Sequence, residues 1–548
     1  MANKQLFASS RGRLLPAADT VNEAGGLAYA LPPKAALAQL VMTGSLGNAF
    51  YVDAQAQLAA LLDGAQRVEP LYVAQTAVFA RRHGYMKDTP AVLVALLTLV
   101  SPDLSRRAFE QVIDNGRMLR NFVQVLRSGV LGRKSLGTAP KRLVQRWLDG
   151  RTVAQLMNDA VGQSPSLADI IKMVHPRPVN LEREAFYGWL LGRTVATEQL
   201  PEQVRAYESF KAALAAGDQE AALPAVNFQW LTALPLGRAQ WIEIARRASW
   251  QTLRMNLNTY ARHGVFGEQP RANALSQTPA HSGSGAGSGV TEPPADLIRE
   301  LAAKLRDAET IRRARVFPFQ LLATWRALDQ RVPVELREAL QDALEIALEN
   351  VPVPAGKVYV LPDVSGSMGA PVTGWRQGAT SKVTCRDAAA LIASAILRRN
   401  PSAEVIAFDD QVWPLALNPR DSVTTNTELL ARTGGGGTNT SLPLAWLNAR
   451  QARGDLVVYC SDNASWMDSR PVGATETLRQ WEAFRARNPA ARLVCLDQQP
   501  YAGSQAVSRA DILNIGGFSD AVFEVLGRFA RGEHNGEHWV AAIEAVEV

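Results

Sequence analysis

The sequence predicts a multidomain protein: an all-α helical-repeat domain over residues 1–350, then an α/β doubly wound domain over residues 351–548. Three observations predict it. A chain of 548 residues exceeds the roughly 100–200 residues that one hydrophobic core commonly organises. From about Asn22 to Gln341, apolar residues recur at helical spacing with Gly or Pro breaks between runs, the pattern of amphipathic helices. Beyond about Gly356, short apolar runs alternate with helical segments, and that alternation specifies a mostly parallel sheet covered by helices on both faces.

Along the first domain, runs such as residues 35–41 and 109–113 read as helices. No strict period links them, so an irregular solenoid of helical hairpins is expected rather than a clean repeat array. Residues 268–296 interrupt it with a stretch rich in Gly, Ser and Pro whose one cation is Arg271. Such a composition buries too little apolar area to offset ordering, so a mobile, protease-sensitive insertion is expected there. Helical patterning resumes at Leu297, which puts the insertion inside the helical domain. In the second domain, residues 357–361, 404–408, 456–460 and 492–496 read as buried strands, and 382–399, 476–487 and 520–530 as helices. Ligands in this architecture bind at the carboxyl ends of the strands.

Composition narrows the classes. With 47% hydrophobic residues and 12 Trp, the chain can bury sizeable cores. No stretch approaches the roughly 18 apolar residues of a spanning helix, and the first twenty residues lack the apolar centre of a signal peptide, so a cytoplasmic protein is expected. Cys385, Cys460 and Cys495 are too few and too scattered for a disulfide framework or a metal knuckle, and read as buried core thiols. The net charge is +6. Residues 351–548 hold 18 Lys and Arg against 20 Asp and Glu, which leaves 40 against 32 in the first 350. An anionic partner such as nucleic acid would therefore be met on the helical domain.

The first strand runs into Asp363-Val-Ser365-Gly-Ser367-Met-Gly369. Three oxygen-bearing side chains at alternate loop positions can converge on one point, and hard oxygen donors suit Mg²⁺. A glycine run followed by Thr438, and Asp462 after the strand 456–460, supply two more candidates. An Asp-x-Ser-x-Ser loop, a glycine-flanked Thr and a strand-terminal Asp in this order resemble the metal-ion-dependent adhesion site of a von Willebrand factor A-type domain. On that pattern Ser365 and Ser367 bind the ion directly, Thr438 directly or through water, and Asp363 and Asp462 directly or by orienting its waters. A sixth position is left for an acidic group on a partner.

Other chemistries lack residues. A DxDxT phosphatase needs a carboxylate where Ser365 stands, a GxSxG elbow would need Gly in that same place, and no GxxxxGK loop occurs. The pair His534 and His538 lacks HExxH order. One Mg²⁺ with serine ligands and no evident general base also disfavours a metal-dependent nuclease.

In the helical domain, Asn22-Glu23-Ala24-Gly25-Gly26, residues 43–51 (TGSLGNAFY), Arg81-Arg82-His83-Gly84 and residues 311–319 (IRRARVFPF) together resemble the TROVE module of the Ro autoantigen family. An A-type domain at the carboxyl end completes that family's layout. The resemblance implies a HEAT-like ring of helical repeats closed by the A-type domain. It also implies binding of small structured Y RNAs on the outer face and of misfolded or single-stranded RNA ends in the central hole, without enzymatic activity. Association with a ribonuclease or an RNA-repair enzyme is implied for bacterial members.

The residues add a physical reason of their own. Arg133, Lys134, Lys141, Arg142 and Arg146 fall within fourteen residues, and Pro140 can open a helix. Lys141 and Gln145, and one step round Arg142 and Arg146, then share a face by i, i+4 spacing, while Leu143, Val144 and Trp147 turn to the core. A cationic ridge at a helix start meets phosphate well. In the following segment Lys172, His175 and Arg177 are further candidates, on a stretch corresponding to another RNA-contacting helix of the family. Members from eukaryotes tend to carry a histidine near Leu167 that this chain lacks, which favours phosphate contacts over base contacts. The alternative from another class is a metal-dependent protein-interaction adaptor, with the A-type site gripping an acidic side chain.

Overall fold

The computed structural model describes residues 15–44, 46–162, 164–218, 220–267, 295–314, 316, 318–351, 356–376, 381–468, 472–517, 520–532 and 538–548. The expected insertion at 268–296 lies outside the described residues but for its last two. The chain forms two compact units, one of Met1–Val112 with Leu348–Val548 and one of Ile113–Ala347.

In the first unit a five-stranded parallel sheet contains β1 (Val358–Pro362), β2 (Glu404–Val405), β3 (Leu456–Ser461), β4 (Arg492–Asp497) and β5 (Ile512–Gly516) in the order β5-β4-β3-β1-β2. The central strands are buried at nearly every position, which is why they read as unbroken apolar runs. One face, with Tyr359, Leu361, Val457, Tyr459, Leu493 and Cys495, packs on Leu444 and Leu447 of helix Leu442–Ala449 and on Leu478, Trp481 and Phe484 of helix Glu476–Arg487. Helix Cys385–Arg399 contacts β1 and β3. It starts where Thr384 and Asp387 close a reciprocal capping box, so its first turn begins three residues later than apolar spacing alone suggests. All three cysteines are free and buried.

One strand expectation needs correction, and one strand was not foreseen. Residues 404–408 do not form one strand: the chain breaks after Val405, and Ala407–Phe408 pairs antiparallel with Val412–Trp413. Strand β5 was hidden because Asn514 interrupts its apolar run; the Asn514 amide is satisfied by Ala506 O at 2.8 Å and Ser508 Oγ at 2.9 Å.

Helix Val334–Ala347 precedes β1 along the chain. The compact units are cut differently from 1–350 and 351–548, because the first 112 residues gather with the sheet. Leu27–Ala30 pairs with Gly503–Ser504. Helix Pro33–Thr43 approaches β5 so closely that a Cβ at Gly516 would stand 2.2 Å from Gln39 Oε1.

In the second unit, the described residues are helices and loops without strands. Helix Gly116–Ser128 is capped by Asn115, which accepts from Met118 N at 3.0 Å, and ends at Gly129 with φ of 91°. It contacts helices Val153–Asp159 and Leu167–Val174, and the latter also contacts helix Thr138–Asp149. Phe122, Leu126, Val144, Leu148, Ile170 and Val174 are among the buried residues of these helices. Each such side chain contributes about 1.5–3 kcal/mol on burial.

Candidate metal centre and cationic helix pair

Asp363 leaves the carboxyl end of β1 as a fully buried residue, held by its own N–H to Cys460 O at 3.0 Å. Its Oδ1 accepts from Ser365 N at 2.8 Å and its Oδ2 from Ser461 Oγ at 2.6 Å. The turn so formed brings Ser365 Oγ and Ser367 Oγ to 3.3 Å of each other. Gly366 N donates to Gly436 O at 2.9 Å, which ties this loop to the glycine run. Asp409 Oδ2 accepts from Gly436 N at 3.0 Å and so fixes the run from below. Thr438 is buried, and its carbonyl accepts from Trp466 N and Met467 N at 3.2 Å, on the loop that follows Asp462. All five expected residues thus lie on three cross-linked loops at the carboxyl edge of the sheet.

The glycine run is required by close approach. Gly434 has φ of +79°, and a Cβ there would fall 2.4 Å from Val364 Cγ2 and 2.7 Å from Val364 O. Gly434→Val is expected to cost about 2–3 kcal/mol through strain and clash and to weaken Mg²⁺ binding. Thermal unfolding of the full chain with and without Mg²⁺ checks both.

Electrostatics bear on the ion. Burial and then the neighbouring Asp462 charge push the Asp363 carboxyl well above the usual carboxylate range, and burial raises that of Asp462. Asp462 Oδ1 accepts from Ala464 N at 3.1 Å, whereas its Oδ2 is buried without a hydrogen-bond partner. An anionic oxygen left so is expensive. Two like charges, one orphaned oxygen and two adjacent hydroxyls form a donor set that fits a hard divalent cation such as Mg²⁺. Among the described residues no group of three or more His, Cys, Asp or Glu is arranged to hold a metal, and an ion held here would take hydroxyl ligands beside the two carboxylates. The nearest cationic side chain seen in contact, Arg386, donates to the Ser365 carbonyl at 2.8 Å rather than to either carboxylate. Sequence reasoning missed Ser461, whose hydroxyl orients Asp363; its place at the end of β3 was the available signal.

The basic residues divide into two kinds. Helix Thr138–Asp149 begins after Gly137, with Pro140 buried in its first turn. Leu143 and Val144 are buried and Trp147 is half-buried, its Nε1 donating to Ile113 O at 2.5 Å. On the other side Arg142 and Arg146 are exposed and Lys141 is half-buried. Lys134, Lys172, His175 and Arg177 are exposed as well. Among the described residues, no ion pair engages Lys134, Lys141, Arg142, Arg146, Lys172 or Arg177, although the Lys172 charge is felt by Asp169.

Gln145 and Arg133 each make an internal bond. Gln145 Nε2 donates to Val174 O at 2.7 Å, capping helix Leu167–Val174 and joining it to helix Thr138–Asp149. The Arg133 guanidinium donates to Leu136 O within its own turn. His175 ends helix Leu167–Val174 in the left-handed region, φ 50°, a conformation His tolerates better than most residues. The exposed Arg117 and Arg127 on helix Gly116–Ser128 escaped sequence reasoning. Arg127 Nη1 lies 2.8 Å from Met173 Sδ, beside Lys172; spacing along the helix was the signal.

The family model described as the Ro60 vWA domain matches residues 357–530. The RNA-binding protein RO60 of Deinococcus radiodurans is 26% identical over 549 residues, spanning 93% of this chain and 95% of that protein. The protein of the same name from Caenorhabditis elegans is 27% identical over 249 residues, 43% of this chain and 37% of that one. The crystal structure of the Deinococcus radiodurans RO (RSR) protein superposes with a TM-score of 0.59 at 22% identity, covering 92% of this chain and all of that one, a likeness of fold. No helix among the described residues is long and apolar enough to cross a membrane. Residues 357–530 thus match the model of the Ro60 vWA domain, and the chain is similar along nearly its whole length to a relative named RNA-binding protein RO60 and to a solved RO fold.

Proposed function

We propose that this protein is a non-enzymatic RNA-binding scaffold that captures a small structured, Y-like RNA on its outer surface and single-stranded or misfolded ends in its hole. The role is in cytoplasmic RNA quality control or decay, with a ribonuclease or repair enzyme as a partner class. The observation that carries it is the cationic face of the helix pair Thr138–Asp149 and Leu167–Val174. Its exposed Lys and Arg side chains lack ion pairs among the described residues, on a backbone that Gln145 makes rigid. Free cations on a rigid helix pair position phosphates, and structured RNA is read mainly by shape and backbone. The relatives named RNA-binding proteins support the reading. Mg²⁺ at Asp363, Ser365, Ser367, Thr438 and Asp462 is assigned a structural part; bound there, it would neutralise the buried carboxylates.

Copurified nucleic acid, read as a raised 260/280 absorbance ratio and then sequenced, tests this function. Protein free of nucleic acid that binds acidic peptides would favour the adaptor instead. Gln145 separates scaffold from contact. Gln145→Ala is expected to cost about 1 kcal/mol through removal of the cap while changing RNA affinity less than about threefold, because its amide is already engaged. Chemical denaturation and RNA titration of the full chain measure the two.

A further inference from the structure

Among the described residues, large aromatic side chains are exposed only in the first unit. Phe50, Tyr85, Trp375 and Trp466 stand 49%, 42%, 42% and 46% exposed, and all four belong to that unit, whereas the cationic helix pair belongs to the second. Two of them are brought together by the backbone. Trp375 N donates to Asn48 O at 2.8 Å and Asn48 N to Trp375 O at 3.2 Å, an antiparallel bridge that sets Phe50 two residues beyond the pair. Two glycines permit this approach: a Cβ at Gly47 would stand 2.8 Å from Thr373 O, and one at Gly374, whose φ is +68°, 2.9 Å from Asn48 O. Both loops are braced. Gln57 Nε2 donates to Gly47 O at 2.6 Å, and Tyr51, whose ring meets that of Phe50 edge-on at 4.8 Å, donates its N–H to Tyr501 Oη at 3.3 Å. Val372 N donates to Val383 O at 3.0 Å and closes the loop that carries Trp375. Single exposed apolar side chains are ordinary. Two large rings on one hydrogen-bonded bridge form a presented surface.

Charge says what that surface receives. Residues 371–386 hold Arg376, Lys382 and Arg386 and no carboxylate, within a domain, 351–548, whose 20 Asp and Glu outnumber its 18 Lys and Arg. Arg376 is held by Asp88 at 3.2 Å, and Arg386 donates to the Ser365 carbonyl. Lys382 is exposed beside Val383, and no ion pair among the described residues engages it. Trp466 has the opposite setting, two residues from Asp468, whose carboxylate accepts from Ser465 Oγ at 2.6 Å. Aromatic faces with a cation alongside fit unpaired bases on a phosphate chain, because every base has a face to stack and every linkage a charge to neutralise. A closed duplex offers neither ring a free base.

We propose that Phe50 and Trp375 form a stacking platform for the bases of single-stranded RNA, with Lys382 binding a phosphate of the same strand. Unpaired RNA is then held by the first unit and structured RNA by the cations of the second. This rests on the RNA reading above and deepens it by naming the residues that take single strands.

The test uses the full chain and three probes: a ten-nucleotide oligoadenylate, a ribose-phosphate chain of equal length without bases, and a blunt-ended RNA hairpin. Affinities are read by anisotropy, with a melting curve for each variant. Phe50→Ala and Trp375→Ala should each weaken oligoadenylate about tenfold or more, the effect of losing one stacked base. The same variants should bind the base-free chain and the hairpin within about twofold of the unmutated protein. Trp375→Phe should keep most of the affinity, and Trp466→Ala should change it less than about twofold. Lys382→Gln should make the salt slope for oligoadenylate shallower by about 0.7, the share of one single-strand phosphate. The Lys141→Glu, Arg142→Glu, Arg146→Glu variant should lose the hairpin and keep oligoadenylate. Oligoadenylate bound equally by the unmutated chain and both alanine variants, or base-free chain weakened as much as oligoadenylate, would overturn the platform. Intact hairpin binding in that case would leave the RNA reading standing and this face to a protein partner. An unmutated chain that binds none of the three probes would overturn both.

Discussion

Replacing Lys141, Arg142 and Arg146 by Glu is expected to lower affinity for structured RNA by about a hundredfold or more near 0.15 M salt, at every sequence tested. Each phosphate that the protein no longer neutralises removes a counterion-release contribution of about 0.9 in the slope of log K against log salt, so three phosphates correspond to about two decades. Arg142 and Arg146 are exposed, and no ion pair among the described residues engages any of the three. Reversal therefore breaks no internal bond seen here, and surface changes of this kind move stability by within about 0.5 kcal/mol. Lys172 and Arg177 should behave alike with smaller single effects. Arg127, beside Met173, is expected to join them, whereas Arg133 should resemble Gln145 because its guanidinium is bonded in its own turn. Filter binding with circular dichroism on the same samples separates a binding defect from unfolding.

Removing the carboxylate that leaves β1 should have the second largest effect. The unmutated full chain is expected to gain about 2.7 kcal/mol of stability when Mg²⁺ reaches a hundred times its dissociation constant. Asp363→Ala should lose that gain entirely. The hydroxyls of Ser365 and Ser367 cannot hold a hydrated dication alone, and the substitution also frees Asp462 from a repelling neighbour, a strain the ion otherwise offsets. The variant should thus be insensitive to Mg²⁺, while its metal-free stability falls or rises with the balance between charge relief and the lost acceptor of Ser365 N and Ser461 Oγ, each such buried loss costing about 1–3 kcal/mol. The full chain is the proper object, because residues before Val112 pack with the sheet. Melting temperature against Mg²⁺ concentration reads both forms. A flat curve for the unmutated protein would mean a metal-free turn, and parallel rising curves would place the ion elsewhere.

Legibility in the sequence followed the range of the interactions. Strand β3, helix Glu476–Arg487 and the Asp-x-Ser-x-Ser loop were readable because periodicity and turn chemistry are local. The start of helix Cys385–Arg399 was displaced by a capping box that outweighs apolar spacing. What stayed hidden was set by contacts between distant segments. Nothing in Asn22-Glu23-Ala24-Gly25-Gly26 says that this turn lands on Ser465, 443 residues later, and nothing in Leu27–Ala30 announces its pairing with Gly503–Ser504. The cationic helix was legible as an amphipathic pattern, yet i, i+4 spacing could not distinguish the exposed Arg146 from Gln145, which points the same way and finds a carbonyl to cap.

If Lys and Arg of the helix pair bind RNA through phosphates, affinity falls with salt as counterions compete. A salt titration of RNA affinity, run side by side on the unmutated chain and the Lys141→Glu, Arg142→Glu, Arg146→Glu variant, tests it most directly. The unmutated protein is expected to show a steep linear fall of log K with log salt, and the variant a slope shallower by about two to three. Superimposable lines from two equally folded proteins would contradict it.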